Sequence, residues 1–259
     1  MDMDSIRSCV EGKRDEMTDF LINLCSIPAV NPAFGGTGEY ERAAWLVNFL
    51  KQHDFPVEVI EYPDPNVKEG KRCNIISVLP GENKEKTLWM IGHMDTVAPG
   101  DSASWKYDPM VPSVHDGRIY GRGVEDNGQA VVCIAYSALI MQELGLIPPQ
   151  NIGMVFVSDE ESGSDLGLKA LAAQGIFKPG DEALVPDAGS ADGSFVEIAE
   201  KSILWPKFTI IGKETHASWP QQGINSAWVG NQMAGEMINS FREHYGDRDL
   251  LFDPPYSTF

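Results

Sequence analysis

His93 and Asp95 stand two apart where the apolar run "TLWMIGHMD" turns polar, and this is the first place in the sequence that could do chemistry. An imidazole nitrogen can bind a divalent cation. A carboxylate two residues on can accept the other ring N–H and fix the tautomer. Further carboxylates hold comparable positions. Glu160 and Glu161 close the apolar segment "IGMVFVSDEE", Asp187 closes "EALVPDAGS", and Asp126 follows the glycine-rich turn "YGRGVEDNG". One histidine with several carboxylates is a donor set suited to zinc, and also to cobalt or manganese. Crowded carboxylates raise one another's pKa unless a cation neutralises them, and two cations sharing a bridging carboxylate would neutralise more. Of two adjacent glutamates, one can hold metal while the other takes a proton from an activated water.

Each signal also has an ordinary reading. His93-x-Asp95 can be a loop hydrogen bond, and "DEES" a solvated strand end or the first turn of a helix. "GRG" and Asp187 suit plain turns, and His216 in "GKETHASWP" suits a surface loop. The shared position of the acids at the ends of apolar segments is what sets them apart.

The elements that must carry these residues follow from hydrophobic period. Residues 5–26 predict a helix with Met17, Phe20, Leu21 and Leu24 on one face. After the Pro- and Gly-rich break "IPAVNPAFGGTGEYE", a second helix carries Trp45, Leu46, Phe49 and Leu50. "FPVEVIEY", "CNIISVLP" and "TLWMIGH" read as strands, and residues 129–146 as a helix apolar almost all round and therefore buried. "IGMVFV" is a buried strand, "LGLKALAAQG" a helix closed by Gly175, and "EALVPD" a short strand. This alternation predicts an α/β fold with a mixed, largely parallel central sheet flanked by helices. Ligands of such sheets sit beyond the carboxyl ends of the strands, where His93, Asp95, Glu160, Glu161 and Asp187 fall. After Ala199 the texture changes: "ILWPKFTIIG" alternates like a half-buried strand, and "GINSAWVGNQMAGEMINSFREH" follows as an amphipathic helix. Two domains are expected, residues 1–199 and 200–259.

Composition narrows the function. With 38 acidic against 20 basic residues the formal charge is −18, which argues against nucleic acid and anionic membranes as partners. Four well-separated cysteines with no CxxC pair disfavour a disulfide scaffold or a cysteine–zinc site. The charged N-terminus has no signal-peptide core, and no apolar run is long enough to span a membrane. The expected setting is cytoplasmic.

Taken together, "HMDTVAPGD", "GRGVEDNG", "SDEESGS", Asp187 and "THASWPQQGINS" resemble the successive motifs of the di-zinc aminoacylase/carboxypeptidase family, which includes acetylornithine deacetylase and succinyl-diaminopimelate desuccinylase. The opening "IPAVNP" and the segment "WKYDPMVPSVHDGRIYGRG" resemble it too, so the likeness covers nearly the whole chain. It implies that His93 and Asp187 bind one zinc and Glu161 the other. Asp126 would bridge both, with Asp95 orienting His93 and Glu160 acting as general base. It implies a cis Asp126–Asn127 peptide, and a lid histidine, His216, that reaches a partner subunit's site in dimeric members to stabilise the oxyanion. Residues 200–259 would be the first half of that lid and dimerisation domain.

The expected activity is a zinc-dependent amidohydrolase removing an acyl group from an N-acyl amino acid. The alternatives are a metal-dependent exopeptidase acting on short peptides, and a non-catalytic metal-binding or dimerisation fragment. A third class, an acidic surface module with accidental motifs, predicts no tight metal. The family pattern also includes a further zinc-binding histidine near the C-terminus. His53, His115 and His244 match no motif for it, so the chain is expected to be a piece of a longer protein, with a short inactive relative as the alternative.

Overall fold

Two apolar periods lay down the architecture. The computed structural model describes residues 3–190 and 192–258, and the chain divides into two compact units, Met1–Ala188 and Gly189–Phe259. The helices are α1 (Met3–Gly12), α2 (Arg14–Ser26), α3 (Tyr40–Gln52), α4 (Gln129–Glu143), α5 (Leu168–Ala173) and α6 (Ser226–His244). The strands are β1 (Glu58–Pro63), β2 (Lys71–Leu79), β3 (Asn83–His93), β4 (Ser113–His115), β5 (Arg118–Tyr120), β6 (Gln150–Val157) and β7 (Glu182–Leu184).

The five-stranded sheet of the first unit has the order β1-β2-β6-β3-β7. β3 runs parallel to β6 and β7, while β2 is antiparallel to both β1 and β6. Four strands thus point one way and β2 alone opposes them, the mixed and largely parallel sheet expected. Side chains alternate between faces, as the strand period of two requires. Met90, Ile75, Met154 and Phe156 pack on one face with Phe20, Leu24, Leu46, Leu50 and Ile134 of the helices. Trp89, Ile91, Ile76, Val155 and Val157 pack on the other face with Leu171 of α5. Burial on both faces explains why β3 and β6 read as continuous apolar runs rather than alternating ones.

This topology places the polar segments. His93 pairs in register with Val157, so β3 and β6 end side by side. β7 pairs alongside β3 through Met90 and Leu184, and its chain leaves toward Asp187 at the same edge.

The predicted first helix is broken at Lys13 into α1 and α2. The apolar stripe from Met17 to Leu24 belongs to α2 alone, and α1 buries no residue, so nothing in the packing requires the two to be collinear.

In the second unit, α6 begins at an N-cap, Asn225, whose side chain accepts the Trp228 N–H at 3.1 Å. The strand predicted over "ILWPKFTIIG" is not formed; only an isolated bridge joins Lys213 to Ile224. The alternation is present, but Leu204 and Trp205 are 81% and 89% exposed. A strand needs a hydrogen-bonded neighbour and a surface to bury one face, and neither is present among the described residues of this unit.

Candidate metal centre

His93 ends β3 and is buried. Its Nδ1 lies 3.0 Å from the main-chain oxygen of Asp95. A carbonyl can only accept, so Nδ1 carries a hydrogen, and whenever the ring is neutral the Nε2 lone pair faces the carboxylates. Nε2 is 2.9 Å from Asp126 Oδ1, 3.8 Å from Glu160 Oε2 and 4.0 Å from Asp187 Oδ2. The Asp126 contact is close but lies off the line of a hydrogen bond, and Nε2 is buried with no aligned partner.

Asp126 is delivered by a glycine turn. Gly123 adopts φ 80°, which admits the sharp reversal before one irregular helical turn, Val124–Gly128. Within that turn Asp126 has φ −108° and ψ 96°, and the Asp126–Asn127 peptide is cis, as the sequence resemblance implies. A Cβ on Gly128 would stand 2.4 Å from the Gly123 carbonyl oxygen, so only glycine lets the turn close onto α4. The two glutamates follow Asp159, which turns the chain at φ 64° beyond β6. Glu161 Oε1 accepts the Val97 N–H at 3.1 Å, which aims the carboxylate back at the end of β3.

The ligand atoms of His93, Asp126 and Glu161 all lie within 4.8 Å of one another. The electrostatics are those of crowded carboxylates around one imidazole. Burial, and then the Asp126 charge, push Glu161 up to about 7. Burial raises Glu160 as well, helped by the charges of Asp95, Asp187 and Asp126. Burial opposes charging His93, but the adjacent Asp126 carboxylate and the charges of Asp95 and Glu160 win, and the ring is raised to about 9. A proton on His93 is therefore one way to neutralise this group of acids, and a divalent cation at the same place is another. One nitrogen lone pair, buried and unaligned, beside converging carboxylate oxygens fits a borderline-hard divalent cation.

The structure brings His93, Asp95, Asp126, Glu160, Glu161 and Asp187 to one edge of the sheet. Asp95 differs from expectation in how it acts. Its carboxylate is 3.7 Å from Nδ1, too far to take the ring hydrogen, which its main-chain oxygen faces instead. The carboxylate accepts from Asn31 Nδ2 at 2.7 Å and from the main-chain N–H groups of Glu160 and Glu161 at 3.1 and 3.3 Å. His216 lies in the second unit, exposed, with its ring 5.6 Å from Trp219.

Sequence reasoning missed Asn127 and Asn31. Asn127 Oδ1 accepts the His93 N–H at 3.1 Å while its Nδ2 donates to Asp187 Oδ1, tying two of the acid-bearing segments together. It sits inside the quoted "GRGVEDNG" motif, so its neighbourhood was visible but its role was not. Asn31 lies in "IPAVNP", where an Asn-Pro pair signals a turn and nothing more.

A sequence model described as peptidase family M20/M25/M40 matches residues 89–245. An uncharacterised metallohydrolase of Methanocaldococcus jannaschii is 40% identical over 245 residues, covering 92% of this chain and 60% of that protein. Succinyl-diaminopimelate desuccinylase of Rickettsia prowazekii is 28% identical over 228 residues, covering 86% of this chain and 57% of the enzyme. Among solved structures, human carnosine dipeptidase 1 superposes with a TM-score of 0.61 at 23% identity, over 72% of this chain and 41% of that one, a likeness of fold. The chain thus spans about three fifths of the length of these curated relatives.

Proposed function

This chain belongs to peptidase family M20/M25/M40, and on that premise we propose that it carries the catalytic groups of a zinc-dependent amidohydrolase that removes an acyl group from an N-acyl amino acid. The observation that carries this reading is the buried, unaligned His93 Nε2 facing Asp126 within the cluster that also includes Glu161. His93, Asp126, Glu161 and Asp187 would hold the metal. When bound, a divalent cation there supplies Lewis acidity toward the amide carbonyl and makes a nearby water more acidic.

The rest is done by the chain. Asp95 fixes the turn after β6 through the Glu160 and Glu161 amides, so Glu160 is held where its carboxylate faces His93. Glu160, its proton affinity raised by burial, takes the proton of the attacking water and returns it to the leaving nitrogen. His216 is assigned to the oxyanion from the motif "THASWP" alone, acting on a partner copy's site in a homodimer built through the second unit. Removal of an acyl group is favoured over cleavage of a short peptide by the named activity of the Rickettsia relative. Both reactions would use the same groups.

The test is a calorimetric zinc titration of the chelator-treated chain, followed by turnover of N-succinyl and N-acetyl amino acids against dipeptides. Tight zinc that His93→Ala abolishes, with turnover of the acylated substrates, is the expected result. A parent chain that binds no zinc would overturn the reading, and turnover of dipeptides alone would replace the deacylase by the peptidase.

A further inference from the structure

Behind the carboxylates that face His93 lies an interior charge cluster of which the reaction proposed above uses only Asp95. Arg72, the second residue of β2, is 3% exposed. Its guanidinium grips Glu39 with both arms of a fork, Nε to Oε1 at 2.7 Å and Nη2 to Oε2 at 2.6 Å. The same group lies 3.5 Å from Asp64, 3.5 Å from Asp159 and 4.0 Å from Asp95. Four carboxylates thus converge on one cation. Asn31 joins them, with Nδ2 placed 2.7 Å from Asp95, 3.1 Å from Ser162 Oγ and 3.4 Å from Asp159.

Charge clusters of this kind contribute little net stability, because desolvation offsets most of the attraction. A planar guanidinium held by two parallel bonds does fix one geometry. Here that geometry is transmitted. Asp95, between Arg72 and Asn31, is the carboxylate that also accepts the Glu160 and Glu161 amides. Asp159, on the other side of Arg72, accepts the Leu166 N–H at 2.9 Å and closes the same turn.

We infer that Arg72 and Asn31 are positioning residues: through Asp95 they set the main chain of Glu160 and Glu161 against His93 without touching metal or substrate. This rests on the function proposed above for that site. It assigns the fidelity of the site to a cation on β2, a strand that contributes no ligand.

The experiment is amide hydrogen exchange on the full chain for Arg72→Lys and Asn31→Ser, with zinc calorimetry on the same samples. Serine keeps an oxygen for the Ala33 N–H that Asn31 now accepts, so Asn31→Ser decides the matter if Arg72→Lys does not fold. Exchange should rise selectively at the Glu160 and Glu161 amides, with α4 and β3 unchanged. Zinc should bind about 10- to 100-fold more weakly, and where turnover is measurable kcat should fall with KM unchanged. Parent-like exchange at Glu160 and Glu161, with faster exchange confined to β2 and α3, would make the cluster a structural staple and overturn the inference. If the parent chain binds no zinc, the proposed function falls, while exchange at the two amides still upholds or overturns the positioning role.

Discussion

In the first unit Phe156 and Met154 are sealed between sheet and helices, and Asp95 has no exposed surface. In the second unit α6 buries no residue, and Trp205 stands almost fully in solvent. The two units have similar local sequence texture, with β-branched and aromatic runs beside an amphipathic helix. What differs is whether each apolar face meets another. Polar groups follow the same rule. Asp95 and Arg72 are held by partners from three or more segments, whereas the His216 ring accepts the N–H of Ser218, two residues on, at 3.2 Å. Chemistry that depends on geometry belongs to the first kind of surroundings.

The contrast can be broken at its strongest point first. Glu160→Gln should keep zinc binding and lose about 10²- to 10⁴-fold in turnover, read by steady-state kinetics beside calorimetry. Full activity in that variant would remove the general base from the mechanism. Phe156→Ala should cost about 3–5 kcal/mol of first-unit stability, because the cavity it leaves cannot collapse between sheet and helices; urea unfolding measures this. Asn225→Ala should cost only about 1 kcal/mol, through the loss of one N-cap bond at the start of α6, and circular dichroism would show it as a small loss of helicity. Trp205→Ser should move stability by less than about 0.5 kcal/mol. A loss as large as that of Phe156→Ala would show that Trp205 is covered in solution, and the contrast between the units would fail there.

The fold of the first unit was legible wherever an apolar run belonged to a single element. β3, β6 and α4 are each a continuous apolar run of one element, and the ends of the two strands locate His93, Glu160 and Glu161 at one sheet edge. The break at Lys13 carried one local signal, Gly12, a poor helix former that ends α1, and α1 buries no residue that would hold it in line with α2. The strand expected near Trp205 failed for the complementary reason. Alternation is local, but a strand is a pairing.

The same division runs through the candidate site. By itself the sequence determined the ligand-capable residues, their chain order and the strand ends on which they stand, because hydrophobic period and turn chemistry act over a few residues. Only the tertiary structure decided what Asp95 holds, that Asn127 ties His93 to Asp187, and that Arg72 and Asn31 stand behind them. Asn31 reaches Asp95 across 64 residues and Asp159 across 128, and Arg72 reaches Glu39 across 33. No spacing in a sequence encodes such contacts; they exist only once the sheet has brought the ends of β3 and β6 together.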